Sequence, residues 1–257
     1  MRIGVCGAPE SVKASIPDLA FIEPAVAALL CPRESEAEFA KRLAAAKACP
    51  LPIEAVNCLF PGDLKTTGPQ TDFSAAEAYI QIVCRRAAQA GIKRIVFGSG
   101  GSRKVPEGFD KAKAADQFVE HMKRWGPHAA RCKLMIVLEP LHKAETNIVN
   151  SVSEGAELVR RVDHPAIRLL ADTFHMVREG EGPQAIRDAG KLIQHVHCAE
   201  NVGRLPVGFG GEDQRPYFRA LKDIGYDDRI SIEANWKDFA AELPRAVAEL
   251  KRQVETA

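Results

Sequence analysis

The sequence predicts an α/β fold of the (β/α)8 type, a TIM barrel, as a single domain over residues 1–257. Three observations predict it. The length of 257 residues is close to the roughly 250 typical of such barrels. Short apolar runs alternate with amphipathic stretches along the whole chain, without a linker or a composition shift. Four of those runs stop at a side chain able to bind a metal. Residues 134–138 lead into Glu139, 169–171 into Asp172, 192–196 into His197 and 229–232 into Glu233. These polar ends are 33, 25 and 36 residues apart, each the span of one strand–helix unit.

Each element is read in order. Strand one is 2–7. The segment that follows carries Pro9 and Pro17 and is too short for a full helix, so the first unit is abbreviated. Strand two is 19–23. A helix opens at 32–36, with acidic residues that complement its dipole, and carries an apolar stripe of Phe39, Leu43 and Ala46. Pro50 and Pro52 end it, and strand three is 53–59. The loop 62–69 is rich in turn residues and belongs to the strand C-terminal face, where barrels build their sites. A helix from 72 to about 90 stops at Gly91, and strand four, 93–97, feeds the glycine-rich run 98–104. That run lacks the GK[ST] ending of a phosphate loop. It reads as a tight loop whose glycines let the backbone pass close to a substrate. Helix 109–130, strand 134–139, a helix from Ser151 or Ser153 to Asp163 and strand 167–172 follow. Then come a short helix after Gly182-Pro183, strand 192–198, a helix from Pro216 to Gly225, strand 229–233 and a closing helix, 238–254.

Composition narrows the function classes. The chain is 46% hydrophobic, enough for a sizeable core. Its 35 basic and 34 acidic residues nearly cancel, which argues against a nucleic-acid footprint or a polybasic membrane patch. The seven cysteines, at 6, 31, 49, 58, 84, 132 and 198, are widely spaced with no CxxC, as expected of reduced thiols in a cytoplasmic protein. The N-terminal apolar run is too short for a signal peptide, and no run approaches a membrane span.

In a barrel the C-terminal ends of the strands converge on one face, which brings Glu139, Asp172, His197 and Glu233 together. Three carboxylates repel and raise one another's pKa unless a cation sits among them. Three oxygens and one imidazole nitrogen suit Mn²⁺, Mg²⁺ or Co²⁺ better than a thiolate-seeking metal. Four protein ligands leave two adjacent positions open on an octahedral ion, which neighbouring carbonyl and hydroxyl oxygens of a substrate could fill. Such an ion polarises the carbonyl, makes the adjacent C–H acidic and holds the enediolate. Glu139 and Glu233, three strands apart, can then remove and return a proton on opposite faces, with Asp172 and His197 acting mainly as ligands. Any one of these carboxylates alone reads as a helix cap or an ion-pair partner; four at consecutive strand ends read as a metal site. His175 alone reads as a histidine near a helix start and Arg204 as a loop charge. His195 is expected to face the helix layer, away from His197, and His142 to neighbour the site.

The residues 139–147 (EPLHKAETN) resemble the strand-five EPLN-x-x-E-x-N motif of the xylose-isomerase-like sugar isomerases and epimerases. Residues 170–176 (LADTFHM) resemble the D-T-[FY]-H-M motif of its D-tagatose/D-psicose 3-epimerase group. His195-Val196-His197-Cys198-Ala199-Glu200-Asn201, with Arg204 and Pro206, is similar to the group's H-x-H-x-x-E-N-x-R stretch, and Ile232-Glu233 matches its last glutamate. The resemblance implies one divalent ion, usually Mn²⁺, on Glu139, Asp172, His197 and Glu233, with Glu139 and Glu233 as the acid/base pair. It implies substrate-binding roles for Glu145, His175 and Arg204, with His142 beside them. It also implies a small-molecule sugar as partner and a dimer or tetramer. Two departures fall on substrate contacts: His142 stands where the motif has Asn, and Val207 separates Pro206 from Gly208.

The function expected is a metal-dependent ketose 3-epimerase or a related sugar isomerase. The alternative is a lyase or dehydratase on the same barrel, acting on an inosose, a keto-glycoside or a C-glycoside. An abasic-site endonuclease fits poorly, since it would need more metal ligands and a basic face. A non-catalytic sugar-binding subunit would leave a complete ligand set unused.

Overall fold

The computed structural model describes residues 1–257. Eight parallel strands form one sheet in the order β2-β1-β8-β7-β6-β5-β4-β3. They are β1 (Arg2–Cys6), β2 (Leu19–Glu23), β3 (Ala55–Val56), β4 (Arg94–Phe97), β5 (Met135–Leu138), β6 (Ile167–Asp172), β7 (Ile193–Cys198) and β8 (Arg229–Ile232). Single bridges, Ile22 to Ile53 and Ala25 to Asn57, join the two outer strands and close the barrel.

Strand three departs from the expected 53–59, since its ladder holds only Ala55 and Val56. Ile53 and Asn57 pair only through the single bridges to Ile22 and Ala25, and Cys58 takes a left-handed φ of 52°, which breaks the extended run before 59. The abbreviated first unit is a single 3-10 turn, Pro9–Ser11.

The helices are α1 (Val26–Leu29), α2 (Glu36–Ala46), α3 (Phe73–Gln89), α4 (Gly100–Arg103), α5 (Lys111–Arg131), α6 (Val152–Val162), α7 (Thr173–Arg178), α8 (Gln184–Ala189), α9 (Arg215–Asp223) and α10 (Phe239–Thr256). Five of them start alike. Ser35, Asp72, Asp110, Ser151 and Asp238 each accept a hydrogen bond from the backbone N–H three residues on, which satisfies an orphan donor of the first turn. The short turns α1, α4 and α7 follow strand ends and had no helical period to announce them. No helix is long and apolar enough to cross a membrane.

Strand residues alternate between the helix layer and the barrel interior. Outward residues such as Val5, Ile136, Leu169 and Ile232 belong to the main core of 63 buried residues beneath the helices. The interior is layered. At its base Arg2 and Arg229 converge on Glu54 (2.5 and 2.7 Å), and Arg94 reaches Asp228 at 2.9 Å. Above lies an apolar layer, where Val96, Val137 and Leu170 pack together. The Phe21 ring is there too, and a Cβ on Gly4 would fall 2.3 Å from it, so β1 needs glycine at that position. The top layer carries the polar strand ends.

Candidate metal centre and active site

Alternation explains why the chemistry gathers at the mouth. Val137 and Glu139, Leu170 and Asp172, His195 and His197, Ser231 and Glu233 are each two residues apart, so each pair shares the interior face of its strand. Glu139, Asp172, His197 and Glu233 present one oxygen or nitrogen apiece, all within 4.8 Å of one another. His197 Nδ1 lies 3.0 Å from Glu139 Oε1 and 3.1 Å from Glu233 Oε2. Asp172 spends Oδ1 on the N–H of Phe174 at 2.8 Å, capping α7. Its Oδ2 is buried, aims into the cluster and has no hydrogen-bond partner. A buried carboxylate oxygen without a donor is costly, and a cation bound there would relieve it. Three carboxylate oxygens and an imidazole nitrogen at this mutual spacing fit a hard divalent ion.

The electrostatics carry the same signature. Burial pushes Asp172 up to about 7, reinforced by Glu139 and Glu233 against the pull of Arg204. Burial also raises Glu139. Burial alone would raise Glu233 as well, but His197 and Arg204 hold it down at about 2. Burial would lower His197, yet Glu23 and the site carboxylates hold it well above its ordinary value.

The predicted substrate-binding residues surround this cluster. Arg204 Nη2 is 2.5 Å from Glu233 Oε2 and 3.5 Å from Asp172 Oδ2, and Nη1 is 3.8 Å from Glu145 Oε1. Its guanidinium lies over the Phe174 ring at 4.7 Å. His175 Nε2 lies 3.5 Å from Asp172 Oδ2 without a hydrogen-bond partner. Its Nδ1 accepts from the backbone N–H of His142 at 3.2 Å and faces His142 Nδ1 at 2.8 Å. Burial lowers His175 to about 2, so the ring stays neutral and presents Nε2–H to the site. Glu145 is the exposed member, 3.5 Å from His142 Nδ1.

His195 corrects an expectation. It does not face the helix layer: residues two apart lie on the same side of a strand, and the His195 and His197 rings sit 5.1 Å apart inside the barrel. Both donate to Glu23, a fully buried carboxylate at the end of β2. Glu23 was read only as the end of a strand. The signal was present, because 19–23 also stops at a carboxylate.

The glycine-rich run serves the site differently from expectation. A Cβ on Gly98 would fall 1.7 Å from Glu139 Oε2, so the glycine makes room for that carboxylate rather than directly for substrate. The run then turns into α4, which buries Arg103 completely. Arg103 donates to the carbonyls of Phe97 (3.2 Å) and Glu139 (2.7 Å), and burial lowers it to about 10. Sequence gave no sign that this arginine would be inside. Glu200, read in the sequence only as part of the motif after His197, takes a structural role. Its buried carboxylate accepts from the N–H of Gly208 at 2.7 Å and from that of Gly210, and so ties down the loop after β7. Cys6 Sγ lies 3.9 Å from His197 Nε2, and burial raises its thiol well above the ordinary range.

A closed barrel of eight parallel strands with a carboxylate–imidazole cluster at the strand C-termini defines an α/β-barrel protein with a candidate metal site. The chain belongs to the xylose isomerase-like TIM barrel family, whose model matches residues 21–254. It is 32% identical to the D-psicose 3-epimerase of Ruminiclostridium cellulolyticum over 128 residues, 48% of this chain and 42% of that protein. It is 35% identical to the L-ribulose 3-epimerase of Methylomonas sp. over 126 residues, 49% of this chain and 42% of that one. The matched stretch spans less than half the length of each of these curated relatives. Among solved structures, D-psicose 3-epimerase with D-tagatose from Clostridium cellulolyticum H10 superposes with a TM-score of 0.81 at 23% identity, over 98% of both chains. The 3-keto-D-glucoside 4-epimerase from E. coli superposes with a TM-score of 0.79 at 19% identity, over 98% of this chain and 99% of that one. These superpositions show the fold.

Proposed function

We propose that the protein is a divalent-metal-dependent sugar epimerase of the ketose 3-epimerase kind. The observation that carries this reading is the cluster itself: four ligand atoms from consecutive strand ends within 4.8 Å, two of them on glutamates of strands five and eight. The names of the similar proteins support a keto sugar as substrate.

Glu139, Asp172, His197 and Glu233 would hold the ion. When bound, it supplies polarisation of a substrate carbonyl, which acidifies the neighbouring C–H. Glu139 and Glu233 approach from opposite sides, so one takes the proton from carbon and the other delivers a proton to the opposite face. The configuration inverts and no atom is lost. Arg204, His175, Glu145 and His142 line the rim and orient the sugar hydroxyls. Arg204 and the buried Arg103, together with a divalent ion, match the charge of Glu23, Glu139, Asp172 and Glu233.

The test is proton NMR of free ketohexoses and ketopentoses with the Mn²⁺-loaded and metal-cleared protein in D₂O. Deuterium at C3 with a new epimer, in the loaded protein alone, is the expected result. A product that has lost water or an aglycone would move the assignment to a lyase. No exchange at any carbon, in protein holding one equivalent of metal, would overturn the ketose substrate.

A further inference from the structure

The carboxylate of Glu23 has no access to solvent. Its donors are three. His197 Nε2 lies 2.9 Å from Oε1, while His195 Nε2 and Ser231 Oγ lie 2.8 and 2.6 Å from Oε2. A buried charge persists only when hydrogen bonds replace its lost hydration. Here β7 and β8 supply all of them. Both oxygens are engaged, Oε1 by one partner and Oε2 by two, and the Ser231 hydroxyl donates, so the carboxylate sits as an acceptor among three donors.

This decides the protonation of both rings. An oxygen that only accepts requires a proton on each Nε2 facing it. His195 Nδ1 has no partner, and a second proton there would add a buried charge with an unpaired N–H, so His195 is neutral with its proton on Nε2, facing Glu23. In His197 the same lock leaves Nδ1 pointing at Glu139 and Glu233.

We infer that Glu23 is a positioning residue that fixes His197 as the Nε2–H tautomer, so that Nδ1 alone can bind the ion, with Ser231 and His195 holding the Glu23 carboxylate in register. The inference rests on the metal-site reading above. It adds a fourth carboxylate that touches neither ion nor sugar and acts through the imidazole by raising its basicity and fixing its orientation.

The first test needs no substitution. In protein labelled with ¹⁵N at histidine and loaded with diamagnetic Zn²⁺, long-range ¹H–¹⁵N spectra should show His197 protonated at Nε2 and bound through Nδ1. A proton on Nδ1 of the loaded protein would overturn the inference. The second test is Mn²⁺ titration by calorimetry. Glu23→Gln, which can present an NH₂ to the ring, should weaken Mn²⁺ binding by about 10–100-fold, with Glu23→Asp recovering part of the loss. Unchanged affinity and an unchanged His197 spectrum in a folded Glu23→Gln protein would overturn the role of Glu23 while leaving the metal site intact. A wild-type protein that binds neither Zn²⁺ nor Mn²⁺ would remove both readings.

Discussion

A methyl group added at Gly98 would collide with Glu139 Oε2, so Gly98→Ala should displace a ligand oxygen without touching the core. A shift of about 1 Å in a reacting group can cost about 10²-fold in rate. A loss of that order in C3 exchange, with an unchanged far-UV circular dichroism spectrum, is expected. Glu139→Gln and Glu233→Gln should each reduce exchange by about 10²–10⁴-fold, the usual contribution of an acid or base, as measured by deuterium incorporation. Protons compete with the ion at the same atoms. Asp172 stands near 7 and Glu139 is raised in the metal-free chain, so each folded pKa lies above its unfolded value. By linkage, both groups favour the metal-free fold at acid pH, and each loses that contribution as pH rises through its raised folded pKa, about 7 for Asp172. Binding a divalent ion reverses the preference. Mn²⁺ affinity should therefore fall as pH drops from 8 to 6, and calorimetry in buffers of different ionisation enthalpy should show protons released on binding. Glu139, Asp172, His197 and Glu233 were legible in sequence because each ends an apolar run. Arg103 was not, since nothing in a glycine-rich run says that its arginine will be sealed between two strand ends.

The loop after β7 shows how an element holds a residue in place. Arg204 has a φ of 51° and follows Gly203 at 70°. A non-glycine residue in that left-handed region costs on the order of 1–3 kcal/mol. The backbone is held there by Asn235, whose N–H donates to the Arg204 carbonyl at 2.8 Å and whose amide donates to the Gly203 carbonyl at 3.1 Å. Further along, Glu200 clamps Gly208 and Gly210. Glu200→Ala should release this loop. Amide exchange at Gly208 and Gly210 should accelerate, and KM for the sugar should rise more than kcat falls. Most elements were legible because their helices begin at Ser or Asp and their strands are short apolar runs. β3 was not, because on either side of Ala55 and Val56 the segment pairs only through single bridges at Ile53 and Asn57 and then turns left-handed at Cys58, which no periodicity announces. His195 went astray through the count of alternation: a spacing of two keeps a side chain on its own face, and that face is the one carrying His197.

At the scale of the whole molecule, the barrel separates stability from chemistry along its axis. The ionic layer of Arg2, Glu54, Arg229, Arg94 and Asp228 lies at the strand N-termini, away from the metal-type cluster. Glu54→Gln removes the carboxylate that Arg2 and Arg229 share, and leaves Arg229, only 12% exposed, with Asp228 alone. A loss of about 1–3 kcal/mol is expected when a partly buried group loses one of its partners, read as a Tm several degrees lower. The Mn²⁺ affinity of the folded protein should stay unchanged. The fold class was legible from the regular recurrence of strand ends, whereas this ionic base was not, because arginines at strand starts look like ordinary surface charge. Between base and site stand the Phe21 ring and the Val96, Val137 and Leu170 layer, all fully buried. These side chains close the barrel axis below the cluster. On the epimerase reading proposed above, a sugar that enters at the strand C-terminal face would leave by it, and its epimer would depart before the next molecule arrives. Substrate and product would then share one route and one seat, so product inhibition should be purely competitive and progress curves should slow well before equilibrium.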